Sequence, residues 1–386
     1  MSCIDEISIQ DYARQLIKRP QGKRIPLSGT LELTFRCNNR CLHCYVNQPA
    51  HHEKVREKEL SSTEIYRLLD NMAQEGTLWL LLTGGEPLLR PDFRDIYLYA
   101  KKKGFLITLF TNGTLITPSL VDFFKEFPPR FVDVTLYGIT EETYEKVTQV
   151  PGSYKRCRRG IDLLLEGEIP LKLKTVIVNQ NKHEFTATKR FVEGLGLEFR
   201  FDALLNGSID GAKDMGGLRI SPQEVVELDL GEPQRCQAFR RLYEKNKGEE
   251  PDREHLFRCA AGLWSFHIDP YGQLTLCNMA RIPGYHLRDG TFAEGWREFL
   301  PRVREQKAVR DNPCIECRLI HICDQCPGWS QLERNDPGVP LDYLCRIAHL
   351  RAEVFGMGTS SIDGKSIWPP DAQGAAWKPQ EQGLKP

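Results

Sequence analysis

The chain has no surplus charge of either sign: Lys and Arg number 52 and Asp and Glu number 52 in 386 residues. That balance excludes a general polyanion binder and argues against nucleic acid as a partner. No uninterrupted apolar run is long enough to cross a bilayer. Met1–Pro20 mixes Asp5, Glu6, Asp11, Arg14, Lys18 and Arg19 with scattered apolar residues, which is no signal peptide. Internal repeats are missing too. These absences predict a cytoplasmic protein with no membrane partner, long enough for two domains with cores of their own.

Cysteine, in contrast, is plentiful at 13 residues. In a reducing compartment that number argues against structural disulfides and for metal binding or catalysis. The cysteines fall into an N-terminal set, Cys37, Cys41 and Cys44, and a C-terminal set of seven from Cys259 to Cys345. Cys3, Cys157 and Cys236 read as ordinary free thiols, although Cys236 stands close to the second set.

Over the first two hundred residues, short apolar or β-branched runs alternate with helical patterns. Strands are expected at Leu31–Phe35, Leu78–Thr83, Phe105–Phe110, Phe131–Tyr137, Leu171–Val178 and Glu198–Leu204. Helices are expected at Ser61–Glu75, Pro91–Lys103, Pro118–Phe127, Tyr154–Glu166 and His183–Leu195. Ser61 and Glu64 form a capping-box pattern, and Ile65, Leu68, Leu69 and Met72 share one face of the helix that follows. Continuous apolar strands between amphipathic helices predict an α/β fold with a parallel sheet covered by helices.

Directly after the first strand comes Cys37-Asn38-Asn39-Arg40-Cys41-Leu42-His43-Cys44. The C-x3-C-x2-C spacing offers three thiolates to a four-iron cluster and leaves one iron open, whereas a structural cluster takes four cysteines. Thr83-Gly84-Gly85-Glu86-Pro87 ends the second strand. Together these runs resemble the radical S-adenosylmethionine (SAM) enzymes. The resemblance implies a partial (β/α)6 TIM barrel at 31–205, with functional residues at the C-terminal ends of its strands. It makes Cys37, Cys41 and Cys44 the ligands of the SAM-cleaving 4Fe-4S cluster. It also implies SAM contacts at Gly84, Gly85, Glu86, Pro87, His43, Asn112, Thr135 and Val176. For Thr135 and Val176 plain sheet packing is the competing reading, and Tyr45 is as readily packing as cofactor contact.

The C-terminal set runs Cys259, Gly272, Cys277, then Cys314, Cys317, Cys323 and Cys326 as C-x2-C-x5-C-x2-C, and last Cys345. It resembles the SPASM extension of radical SAM enzymes, a small cysteine-rich α+β domain expected here at 259–350. Three residues usually precede the sixth cysteine of that pattern; here Asp324 and Gln325 are two. By resemblance Cys314, Cys317, Cys323 and Cys345 hold one auxiliary 4Fe-4S cluster. Cys259, Cys277 and Cys326 hold another, whose remaining iron falls to Cys236, water or substrate. A β-hairpin across His267–Leu276 would bring Cys259 and Cys277 near each other. On spacing alone, Cys314-x2-Cys317 and Cys323-x2-Cys326 also read as zinc knuckles.

Residues 1–30 read as an N-terminal extension, 206–258 as a bridge, and 351–386 as a tail in which Trp368 and Trp377 are the apolar exceptions. A mobile loop is expected at Asn206–Gly217. The resemblance implies reductive cleavage of SAM to a 5′-deoxyadenosyl radical and oxidative modification of a substrate. That substrate is expected to be a ribosomally made peptide or a protein side chain, with reduced ferredoxin or flavodoxin as electron donor. About thirty residues precede the first strand, too few for a fused leader-peptide-binding domain, so a separate protein would supply one. Asn278 stands where the anaerobic sulfatase maturases carry a general-base aspartate, which argues against that activity. Tetrapyrrole tailoring in the haem pathway is the alternative, and a non-catalytic electron carrier the third reading. Lys174, Arg200 and Asp202, near strand ends, are read as ion-paired or solvated, with substrate or proton handling as the other possibility.

Overall fold

The computed structural model describes residues 24–46, 48–209, 215–246, 252–308 and 312–355. Cys3, Trp368, Trp377 and the centre of the loop expected at Asn206–Gly217 lie outside them.

Six parallel strands form the frame: β1 (Ser28–Glu32), β2 (Trp79–Thr83), β3 (Leu106–Thr111), β4 (Phe131–Thr135), β5 (Leu171–Val176) and β6 (Phe199–Asp202). They pair in sequence order, β1-β2-β3-β4-β5-β6, each parallel to the next. Parallel neighbours in sequence order, joined through helices, give the topology of an incomplete (β/α) barrel. The helices are α1 (Ser62–Gln74), α2 (Phe93–Lys102), α3 (Pro118–Glu126), α4 (Glu141–Thr148), α5 (Ser153–Glu166) and α6 (Phe185–Gly194). Ser61 caps α1 in the expected capping box. In β5 the buried residues Leu171, Leu173 and Thr175 alternate with the half-buried Lys172, Lys174 and Val176, so one face carries the core and the other is more open.

Two expectations shift. The first strand lies three residues earlier than Leu31–Phe35, because Leu33 and Phe35, though buried, belong to the segment that turns toward the cysteines. The region 206–258 holds two helices, α7 (Pro222–Leu230) and α8 (Pro233–Asn246). Val225 and Val226 of α7 share a core with Trp329, Leu344 and Ile347.

The C-terminal residues extend the same sheet. Strand β7 (Ser265–Ile268) adds parallel to the free edge of β1, and the expected hairpin continues it through β8 (Gln273–Thr275) to β9 (Tyr285–His286). Helices α9 (Pro327–Arg334) and α10 (Asp342–Val354) follow. No helix among the described residues is long and apolar enough to cross a membrane.

Candidate functional site

The two motifs meet because glycine lets their backbones touch. Past β1 the chain stays paired to the end of β2: Leu33 N–H donates to the Thr83 carbonyl (2.8 Å), Gly85 N–H to Thr34 (2.7 Å) and Glu86 N–H to Arg36 (2.9 Å). Gly84 has φ +138°, and a Cβ there would overlap the Thr34 carbonyl oxygen. A Cβ on Gly85 would overlap that of Arg36. Gly84→Ala is therefore expected to destabilise the protein by roughly 2–4 kcal/mol through strain and overpacking. Anaerobic denaturation reads this directly, and a loss below about 1 kcal/mol would show that the two segments can part at little cost.

The cysteine loop hangs from this junction. Its ends pair at Arg36↔Gln48 and Cys37↔Pro49. Its centre is tied to the C-terminal turn of α4, with Arg40 N–H donating to Thr148 (2.9 Å) and Leu42 N–H to Val147 (3.0 Å). At its root Arg36 makes a two-pronged pair with buried Glu59 (2.9 and 3.0 Å). The Arg90 guanidinium donates to the carbonyls of Leu33 (3.1 Å) and Leu60 (3.0 Å). These contacts gather three thiols that act on one another. Burial pushes the Cys37 thiol up to about 12, helped by the charges of Glu86 and Cys44. Burial also pushes Cys41 well up, with Cys44 and Cys37 as the nearest charges. Such thiols ionise when a cation replaces the lost water, so the donor set fits an iron cluster. His43 is buried and meets the ring of Tyr137 edge-on at 5.0 Å.

Glu86 turns inward and is fully buried. Its carboxylate accepts from Thr111 Oγ1 (2.8 Å), Asn112 N–H (2.8 Å) and Leu88 N–H (3.1 Å), while burial raises it to about 7. Asn112 Nδ2 in turn donates to Asn38 (2.8 Å) and lies 3.7 Å from Cys37 Sγ. Glu86 thereby braces the end of β3 against the cysteine loop. Thr135 and Val176 close β4 and β5 on the open face, at the same ends of the strands as the cysteine loop and Gly84–Pro87.

The C-terminal thiols are mostly part-buried and act on one another. Cys277 responds to the charge of Cys259, and Cys326, pushed up by burial to about 11, responds to Cys277 and Cys259. Cys345, also raised by burial to about 11, responds to Cys317 and Cys314, while Cys323 responds to Cys345 and Cys314. Gly328 lets α9 pass close to the Cys277 turn, since a Cβ there would stand 2.6 Å from the Ala280 nitrogen. The short Cys323–Cys326 link is held by Gln325, which donates to the Leu341 carbonyl (2.7 Å) and accepts from its N–H (3.1 Å). Cys259, Cys314, Cys323, Cys326 and His321 line one cavity of about 480 Å³. Cys236 is engaged elsewhere, its thiol donating to the Asp229 carbonyl at 3.1 Å. Among the described residues no three His, Cys, Asp or Glu converge on a single-ion site.

Residues 31–192 match the model of the radical SAM superfamily. The AdoMet-dependent heme synthase of Methanosarcina barkeri is 34% identical over 325 residues, 79% of this chain and 92% of that protein. The chain belongs to the radical SAM superfamily. This radical SAM chain is also 24% identical to the mycofactocin maturase MftC of Mycolicibacterium smegmatis, over 87% of its own length and 86% of the relative's. Its fold matches Streptococcus suis SuiB bound to S-adenosylmethionine with a TM-score of 0.60 at 15% identity, covering 89% of this chain and 83% of SuiB. The family's α/β fold, its SAM chemistry and a SPASM-type cysteine-rich C-terminal region are thus those of this enzyme.

A buried polar network links the two cysteine regions of the radical SAM chain, and it went unnoticed in the sequence. Glu32, at the end of β1, accepts from Tyr45 Oη (2.7 Å) and Arg281 (2.9 Å) and lies 3.1 Å from His267 Nε2. Tyr45 follows Cys44, and Arg281 lies four residues past Cys277. Burial alone would raise Glu32, but His267, Arg281 and Tyr45 hold it at about 2. The available signal was a glutamate between Leu31 and Leu33 in a buried strand, which needs a cationic partner.

Proposed function

We propose that this enzyme is an oxidative peptide maturase carrying three four-iron clusters. Cys37, Cys41 and Cys44 would hold the SAM-binding cluster, with Cys314, Cys317, Cys323 and Cys345 on one auxiliary cluster and Cys259, Cys277 and Cys326 on the other. The observation that carries the reading is the gathering of Cys259, Cys314, Cys323 and Cys326 around one cavity of about 480 Å³. The cofactors, when bound, supply reductive cleavage of SAM, hydrogen abstraction from the substrate and a sink for its electron. The chain positions and shields. Glu86 and Asn112 hold the cysteine loop, Gly84 and Gly85 keep its backbone paired to β2, and the buried His43 helps keep water away.

A peptide substrate is supported by the kinship with a mycofactocin maturase and by the sheet's geometry. Strand β6 ends the sheet, with Arg200 and Asp202 exposed beside the open face. A cleft open along a strand edge admits an extended chain. Tetrapyrrole tailoring is the second reading, favoured by the 34% identity to a heme synthase over nearly all of that protein. Incubation with SAM, a reductant and either candidate peptides or iron coproporphyrin decides between them, by which substrate changes mass.

Roughly twelve irons and twelve sulfides per chain are expected after anaerobic reconstitution. Four irons with one or two zincs would overturn the auxiliary clusters. Cys314→Ala or Cys317→Ala should lower the iron by roughly four while SAM still binds. Unchanged iron would mean that these thiols are not ligands.

A further inference from the structure

The open face of the sheet carries a charge cluster that the SAM and cluster chemistry leaves unused. The register aligns Phe110 with Asp133, Thr135 with Lys174, and Lys174 with Arg200. Residues opposite one another in neighbouring strands share a face, so these side chains lie on the same open face as Thr135 and Val176. Lys174 Nζ lies 3.4 Å from Asp133 Oδ1, and Arg200 donates to Asp133 Oδ2 at 3.2 Å. Both cations also lie over the ring of Phe110.

One carboxylate thus serves two cations. The Asp133 side chain is 7% exposed and that of Lys174 16%, whereas that of Arg200 is 58% exposed. Arg200 spends one arm of its fork on Asp133 and leaves much of its side chain exposed, and a guanidinium has five donors in a geometry that matches a carboxylate. Burial, with the Arg200 charge beside it, pushes Lys174 down to about 7, so it is only partly charged at neutral pH, and a second anion next to Arg200 would favour its protonated form. A structural ion pair does not need the exposed guanidinium.

We propose that Lys174 and Arg200, held by Asp133, anchor a carboxylate of the substrate on the open face of the sheet below the strand ends that carry Thr135 and Val176. The assignment rests on the radical SAM reading of this face and narrows its substrate class. The group recognised is a carboxylate, which a peptide supplies from Asp, Glu or its C-terminus and a tetrapyrrole supplies from its propionates. Arg200 grips the carboxylate from the open side, Lys174 supplies charge from the buried side, and Phe110 forms an apolar wall.

The test uses anaerobically reconstituted full-length protein and probe pairs that differ only in charge. One arm compares iron coproporphyrin III with its tetra-amide by Soret titration. The other selects random heptapeptides with amidated C-termini and reads their enrichment in Asp and Glu over Asn and Gln. In one arm the wild type should favour the acid by roughly tenfold or more, as expected for a charge-assisted fork. Lys174→Gln and Arg200→Gln should each reduce that preference to about threefold or less, and Arg200→Lys should restore only part of it. The arm that responds identifies the source of the carboxylate. Equal binding of acid and amide in both arms, or a preference that survives both substitutions, overturns the proposal. Equilibrium dialysis of SAM guards the assignment, because weakened SAM binding in both variants would mean that the carboxylate recognised is the cofactor's. Failure of the wild type to cleave SAM would instead overturn the reading of the core.

Discussion

Replacing Cys37, Cys41 or Cys44 with alanine is expected to abolish SAM cleavage while leaving about two-thirds of the iron, roughly eight of twelve atoms, in place. The three thiols come from one loop whose ends, centre and root are each tied to a different element, so losing one thiol leaves two sulfurs facing a site with no substitute. Cys157, the remaining cysteine of the barrel, is buried in α5 with its Sγ turned toward the Thr135 carbonyl (3.9 Å). The auxiliary thiols sit on separate segments, from Cys259 just before β7 to Cys345 in α10, and their absorbance should persist. Formation of 5′-deoxyadenosine together with iron content measures both halves. Retained cleavage in any one variant would show that this loop does not hold the reactive cluster, and loss of all iron would show that the three clusters do not assemble independently.

Much of this site was legible because its chemistry is local in sequence. Cys37 to Cys44 lie within eight residues and Gly84 to Pro87 within four, so both runs could be picked out in the sequence and their roles read from the resemblance they carry. The strands were legible through their continuous apolar character, with β1 displaced because Leu33 and Phe35 stay buried after the ladder to β7 has ended. What escaped was made by distance. Helix α4 has the short amphipathic sequence Glu141–Thr148, and its importance lies in the carbonyls of Val147 and Thr148 that receive the cysteine loop. The pairing of β7 with β1 joins residues more than two hundred positions apart, and nothing in Ser265–Ile268 names its partner. Lys174 and Arg200 read as ordinary strand charges until the register sets both against Asp133.

Arg281→Met is expected to cost roughly 3–5 kcal/mol, the range for breaking one partner out of a buried pair. Glu32 is 1% exposed, and its carboxylate would be left to Tyr45 and His267. The pH profile supplies an independent check. Glu32 is held at about 2 in the fold, below the unfolded value of about 4.3. Its contribution, of order 3 kcal/mol, is therefore present in full above about pH 4.3 and is lost as pH falls toward 2. In Arg281→Met part of that acid-dependent slope should disappear. The double variant Glu32→Gln, Arg281→Met should cost less than the sum of the two single changes, because neither charge is then stranded. The Arg281 guanidinium also donates to the Asn278 carbonyl at 2.8 Å, next to Cys277, so the single variant should release iron faster from the Cys259/Cys277/Cys326 group. Anaerobic guanidinium denaturation followed by tryptophan fluorescence and cluster absorbance reads both effects. A change under about 1 kcal/mol with an unaltered pH profile would mean that Glu32 is carried by His267 and Tyr45 alone and that the two cysteine regions are not joined through Arg281.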